Sequence, residues 1–168
     1  HIGAAATYSS LENSPEIQSY SALTDSLHVI ADPQIRNLGT IGGALGHADP
    51  SLDIVPPLLC LDANVVLKSL DETRIVSLSD FHQEYMTADL SKDELIHSIT
   101  FSNLTGSHGG SYEKVANVEG GWPTVGVAAQ VVLDDTLSII SDVKIALAAV
   151  GDTAIRSPSM EKSLVGSV

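Results

Sequence analysis

The segment from Arg36 to Asp53, R-N-L-G-T-I-G-G-A-L-G-H-A-D-P-S-L-D, gathers the residues best suited to hold a charged ligand. Four glycines, Gly39, Gly42, Gly43 and Gly46, fall within eight residues. Glycine visits positive φ freely and lets another group approach the backbone closely. Consecutive uncovered amides at Gly42 and Gly43 predict a concave nest for an anion, most often a phosphate. Thr40 adds a hydroxyl donor beside them. Asp49, Ser51 and Asp53 follow at alternating positions. Their oxygens can accept hydrogen bonds from sugar or ribityl hydroxyls. A phosphate cradle followed by a polyol acceptor is the anatomy of a dinucleotide-type cofactor site. A glycine-rich turn alone is more often only a turn. The spacing here matches neither G-x-G-x-x-G nor the P-loop.

The bulk of the chain narrows the function classes. Its 168 residues allow one domain or two small ones, and 43% apolar residues suffice for a packed core. The net charge of −13 opposes nucleic acid and anionic lipid. Any bound phosphate must therefore be held by local donors. No apolar run reaches the roughly 18–20 residues of a membrane span, and no secretion signal is expected. Cys60 is the single cysteine, in an apolar run, and reads as a buried thiol in a cytoplasmic, reducing compartment. One cysteine cannot hold an iron–sulfur cluster, which needs about four such ligands. His28, His47, His82, His97 and His108 lack metal-ligand spacing. No residue grouping suggests a nucleophile.

The elements that must position the glycine segment follow from periodicity and punctuation. A short strand is expected over Ile2 to Thr7, then a turn capped by Ser10 and a helix from Pro15 to Tyr20. A second helix is expected over Ser21 to Ile30, with Leu23, Leu27 and Ile30 on one face. Asp32-Pro33 breaks it and delivers the chain into the glycines. A helix through about Leu61 follows, limited at its start by Pro56-Pro57. Asn64 to Ser69 and Arg74 to Leu78 alternate with period two and predict a hairpin. Ser79-Asp80 predicts the start of a short helix through Tyr85, and Glu94 to Phe101 predicts a strand. The charge-free turn N-L-T-G-S-H-G-G marks a domain boundary, dividing the chain into residues 1–105 and 108–168. Ser111 to Ala116, Val125 to Leu133 and Ser141 to Val150 predict a three-stranded antiparallel meander. A helix begins near Pro158.

The glycine segment resembles the word R-N-x-G-T-I-G-G-N-L-x-x-A-D-P-x-x-D of the flavin-binding medium subunit of the molybdenum hydroxylases. It matches at Arg36, Asn37, Gly39 to Gly43, Leu45, Ala48 to Pro50 and Asp53, and departs at Ala44, where that family usually has asparagine. The order of strands and helices is similar too. The resemblance implies an α+β fold: the second lobe of a two-lobe FAD-binding domain, then a truncated carbon monoxide dehydrogenase flavoprotein C-terminal-like domain. It implies FAD as cofactor, bound by Thr40, Ile41, Gly42, Gly43, Ala44 and Asp53. It also implies Lys114 in A-Y-E-K-like S-Y-E-K, Trp122 in G-G-W-P, and Ile96 near the flavin ring. Read as residues alone, Lys114 is a solvated outward face, Trp122 and Ile96 are core, and Arg36 holds the loop or meets phosphate. Two arginines common in the family between Lys114 and Trp122 are replaced in this region by Ala116, Asn117 and Val118.

The implied activity is electron relay, from iron–sulfur clusters through FAD to an external acceptor. Molybdopterin and 2Fe-2S clusters are expected on a large and a small partner subunit. A flavin supplies its own redox chemistry, so the protein need only bind, orient and tune it. The family's first lobe, with an A-G-G-T-D-L-like loop, has no counterpart here, so the chain is expected to be a fragment that binds flavin weakly or not at all. Two other readings are a flavin reductase of the related wall-precursor type and a flavin-free docking module. A yellow complex with its neighbours favours the relay; a colourless stoichiometric complex favours docking. Gly43→Val in the full-length subunit is expected to abolish FAD retention while leaving the fold soluble, checked by flavin absorbance of the purified protein.

Overall fold

The computed structural model describes residues 1–167. After strand β1 (Ile2–Gly3), the Thr7 hydroxyl accepts the Ser10 amide and caps helix α1 (Tyr8–Glu12). The expected strand over Ile2 to Thr7 is therefore short. The Pro15 to Tyr20 segment forms turns rather than a helix, with Ile17 N bonded to Ser14 O and Tyr20 N to Ile17 O. Helix α2 (Ser21–Val29) is as expected, with Leu23 and Leu27 fully buried. Asp32 does more than break it. Its carboxylate accepts the Gln34 and Ile35 amides and starts helix α3 (Pro33–Leu38), with Pro33 at the first position.

Helix α4 (Ile41–His47) follows, then α5 (Val55–Cys60), whose residues are all buried. Strands β2 (Asn64–Lys68) and β3 (Thr73–Ser77) form the expected hairpin. Helix α6 (Leu78–Phe81) is capped by Ser77 and stops after one turn. The helix expected through Tyr85 is replaced by a small hairpin, β4 (His82–Glu84) with β5 (Thr87–Ala88), which turns at Met86 with φ 53°. Strand β6 (Leu95–Thr100) completes an antiparallel sheet in the order β1-β6-β2-β3.

The meander is present as β7 (His108–Ala116), β8 (Pro123–Leu133) and β9 (Ile140–Ala148). A two-residue strand, β10 (Ile155–Arg156), widens it to the order β10-β9-β8-β7, and helix α7 (Pro158–Leu164) closes the described chain. The Glu161 carboxylate pairs with Arg156 and accepts the Ile145 amide, tying α7 to the sheet. Helices that precede this sheet in the chain cover one of its faces. Helices α2 and α5 pack on β7, β8 and β9, and Tyr112, Ala128 and Ala146 join one buried cluster with Leu23, Leu58 and Phe81. Cys60 sits at that seam, its thiol facing the Ala128 and Lys144 carbonyls. Burial pushes its pKa up to about 12, so it is an inert thiol at neutral pH.

No described helix is long and apolar enough to cross a membrane. No group of metal-ligating side chains occurs among the described residues.

Two glycines of α4 play opposite parts. A Cβ on Gly42 would lie 2.6 Å from the Ala4 Cβ and 2.8 Å from the Ala4 carbonyl oxygen. A Cβ on Gly46 would meet only Ile96 Cδ1, at 3.5 Å. Gly42→Ala is expected to destabilise the fold by about 1–3 kcal/mol through overpacking. Gly46→Ala is expected to stabilise it by up to about 1 kcal/mol through helix propensity. Urea midpoints of the two variants check the contrast.

Candidate flavin site

Thr40 organises the glycine segment. It lies in extended conformation before α4, and its Oγ1 accepts the Gly43 amide at 3.1 Å. The Thr40 carbonyl accepts the Ala44 amide at 3.0 Å. A threonine in this place is a helix N-cap, which satisfies amides the helix itself leaves unpaired. The two preceding donors are also engaged: Ile41 N bonds Ala6 O at 3.0 Å and Gly42 N bonds Ala4 O at 2.9 Å. The uncovered nest expected at Gly42 and Gly43 is therefore not formed. Neither residue has positive φ; the glycines with positive φ are Gly106, Gly120 and Gly166. Gly42 is small because the chain after β1 crosses it closely. The donors left over belong to Thr40. Its amide has no hydrogen-bond partner among the described residues, and its hydroxyl accepts but donates to none of them.

Beside Thr40 lies a cavity of about 590 Å³, within the usual range for small-molecule sites of roughly 300–1,000 Å³. Its walls are largely apolar, with Ile30, Leu38, Ala44, Leu52 and Trp122 among the lining residues. Thr40, Gly43 and Asp53 contribute its polar edge. Among the expected site residues the structure thus brings together Thr40, Gly43, Ala44, Asp53 and Trp122. Ile41 and Gly42 lie beneath them, buried in the fold. Ile96 does not line the cavity; it is half-buried on β6, opposite Leu67. Trp122 is not core: it is 61% exposed, at the rim. Arg36 takes the loop-holding role, with Nε 3.3 Å from Glu12 and Nη1 2.9 Å from the Ile30 carbonyl. Asp49 accepts the Ser51 amide within its own turn.

Sequence reasoning missed Tyr8, Leu38 and the Gly120-Gly121 turn as cavity residues. Leu38 carried a signal, being an apolar residue inside a polar, glycine-rich word. The turn carried none, because its place depends on a crossing far away in sequence. Gly120 has φ 72°, and a Cβ there would lie 2.7 Å from the Ala31 carbonyl oxygen.

Behind the cavity sits a buried charged cluster. Tyr112 and Lys114, two apart on β7, share one face of the strand. Tyr112 Oη donates to Asp53 Oδ1 at 2.7 Å, and Lys114 Nζ donates to Asp53 Oδ2 at 3.0 Å. Lys114 and Asp53 side chains are each only 7% exposed. The solvated face expected for Lys114 is thus overturned. Burial pushes the Asp53 pKa up, against the pull of Tyr112 and Lys114. Burial, and then Asp53, raise Tyr8 to about 12 and Tyr112 higher still.

Residues 1–102 match the family model described as FAD binding domain in molybdopterin dehydrogenase, and residues 110–168 match the CO dehydrogenase flavoprotein C-terminal domain. The chain belongs to the FAD-binding domain family of the molybdopterin dehydrogenases. It is 33% identical over 98% of its length to the glyceraldehyde dehydrogenase medium chain of Sulfolobus acidocaldarius, covering 58% of that relative. It is 34% identical over 98% of its length to the carbon monoxide dehydrogenase medium chain of Hydrogenophaga pseudoflava, covering 57%. A solved carbon monoxide dehydrogenase from Hydrogenophaga pseudoflava superposes with a TM-score of 0.92 at 31% identity, over 98% of this chain and 57% of that one. The chain thus spans little more than half the length of these relatives.

The family's flavin can be tested against the cavity. The apolar walls and the rim indole fit a planar ring system, and the Thr40 donors fit a phosphate or ribityl oxygen. No lysine or arginine lines the cavity, so a diphosphate finds little charge compensation there.

The Asp53 shift sets a pH dependence. Between the ordinary carboxyl value and the raised folded one, the folded chain keeps a proton that the unfolded chain has released. Stability therefore falls as pH rises through that window and is level above it. Tyr112→Phe removes a hydrogen bond that favours the carboxylate. It is expected to widen the window upward and to cost about 1–3 kcal/mol at neutral pH. Urea midpoints across pH, with Asp53→Asn as the reference lacking the window, check both effects.

Proposed function

We propose that this chain is the second-lobe part of the FAD-binding subunit of a molybdenum hydroxylase, relaying electrons from iron–sulfur clusters through FAD to an external acceptor. The observation that carries the reading is the apolar cavity opening beside the Thr40 cap, at the family's glycine word. Bound flavin supplies the redox chemistry. The chain's own residues supply the setting. Ala44, Leu52 and Trp122 exclude water from one part of the cavity, and the Thr40 amide and hydroxyl offer donors at its edge. Substrate oxidation belongs to a large molybdopterin subunit, with a small iron–sulfur subunit between them. A cytoplasmic location fits the lone buried thiol of Cys60.

Thr40, Gly43, Ala44, Asp53 and Trp122 are the residues we assign to the cofactor site, with Ile41 and Gly42 shaping it from below and Lys114 acting from behind. Residues 1–105 and 108–168 serve as its two structural parts. Because no lysine or arginine lines the cavity, the diphosphate needs donors from another segment, and the chain alone holds FAD weakly or not at all. Titration with FAD is expected to quench Trp122 emission with micromolar or weaker affinity, measured alongside equilibrium dialysis. Submicromolar affinity would contradict the incomplete diphosphate site. Binding without any change in Trp122 emission would remove the cavity as the flavin site.

A further inference from the structure

An ammonium group has three protons to donate, and on Lys114 all three are engaged. They go to Val29 O at 2.8 Å, Asp53 Oδ2 at 3.0 Å and Gly121 O at 2.9 Å. These acceptors sit on three separate segments. Val29 is the last residue of α2, so its carbonyl is one the helix leaves unpaired. Asp53 lies at the cavity edge, held from its other side by Tyr112. Gly121 closes the turn between β7 and β8 and directly precedes Trp122. The indole of Trp122 makes no hydrogen bond to any described residue and is 61% exposed. Its place over the cavity is therefore set by its backbone.

We propose that Lys114 is a positioning residue: by gripping the Gly121 carbonyl it fixes the turn that carries Trp122, and so sets how the indole covers the cavity. The Lys114 charge is matched by Asp53, and no proton is left for a ligand. Gly120, pressed against Ala31, is the second anchor of the same turn. A flavin ring in the cavity then meets a wall held by β7, although Lys114 itself stands behind that wall. This assignment rests on the reading of the cavity as a flavin site, but its first test does not use flavin.

Trp122 is the single tryptophan of the chain, so its fluorescence anisotropy decay reports this turn alone. Lys114→Met strands a buried carboxylate, so the companion variant is Asp53→Asn with Lys114→Met, which removes both charges. In each, the amplitude of the fast nanosecond component is expected to roughly double, that being the timescale of loop and exposed side-chain motion. Glu113→Gln, exposed on the opposite face of β7, is expected to leave it unchanged. An unchanged decay in the folded double variant overturns the proposal. In the unaltered chain, the Lys114 ammonium protons are expected to exchange slowly enough for a resolved NMR signal at neutral pH; rapid exchange with water overturns it without any variant.

Riboflavin, which lacks the diphosphate, is the probe for the second arm. Severalfold weaker quenching of Trp122 in the double variant, together with the altered decay, supports the latch. Weaker quenching with an unaltered decay means that Asp53 or Lys114 acts on the ring without moving the turn, and overturns it. If riboflavin leaves wild-type Trp122 unquenched while the decay changes as expected, the flavin reading falls and the latch remains.

Discussion

A carboxylate buried between two halves of a chain must be paired, or its desolvation opposes folding. Asp53 is that carboxylate. It comes from the glycine-rich half, and both oxygens are satisfied by β7 of the other half, through Tyr112 and Lys114. The contact fixes the second sheet against the segment that starts at Thr40. Helices α2 and α5 complete the seam with apolar surface, so the sheet needs no later helix to cover this face. Asp53 also lines the cavity, so the same carboxylate ties the seam and edges the site.

This arrangement changes what the glycines mean. The pattern T-I-G-G suggested naked amides waiting for an anion. The folded chain engages those amides with Ala4, Ala6 and the Thr40 side chain. Gly42 admits a neighbouring backbone, and Gly43 keeps the cap uncrowded: a Cβ there would lie 2.9 Å from Thr40 Oγ1. A bulky side chain at Gly43 would therefore act through the threonine cap and the cavity edge, with no part played by positive φ. The donors left without a partner among the described residues belong to Thr40.

Much of the architecture was legible, because strong periodicity reports local structure. The β2–β3 hairpin, the β7 to β9 meander and α2 follow directly from alternation and helical spacing. The missed helix starts share a cause. Thr7, Asp32 and Ser77 each start a helix through a side-chain bond to an amide two or three residues on. Such caps compete with turn readings over the same few residues. The site was legible as a word, since Thr40 to Ala44 and Asp53 are contiguous or nearly so. The buried pairing of Lys114 was not. It depends on partners 61 and 85 residues away, which no local pattern encodes.

The central claim is that a flavin ring occupies the cavity between the Thr40 cap and Trp122. Amide and indole NMR spectra of the chain, recorded with increasing FAD, test it most directly. The account predicts that the largest shifts fall on Thr40, Gly43 and the Trp122 indole, with Lys68 and Thr73 at the far hairpin unmoved. Saturable shifts confined to another surface, with Thr40 and Trp122 unchanged, would contradict it.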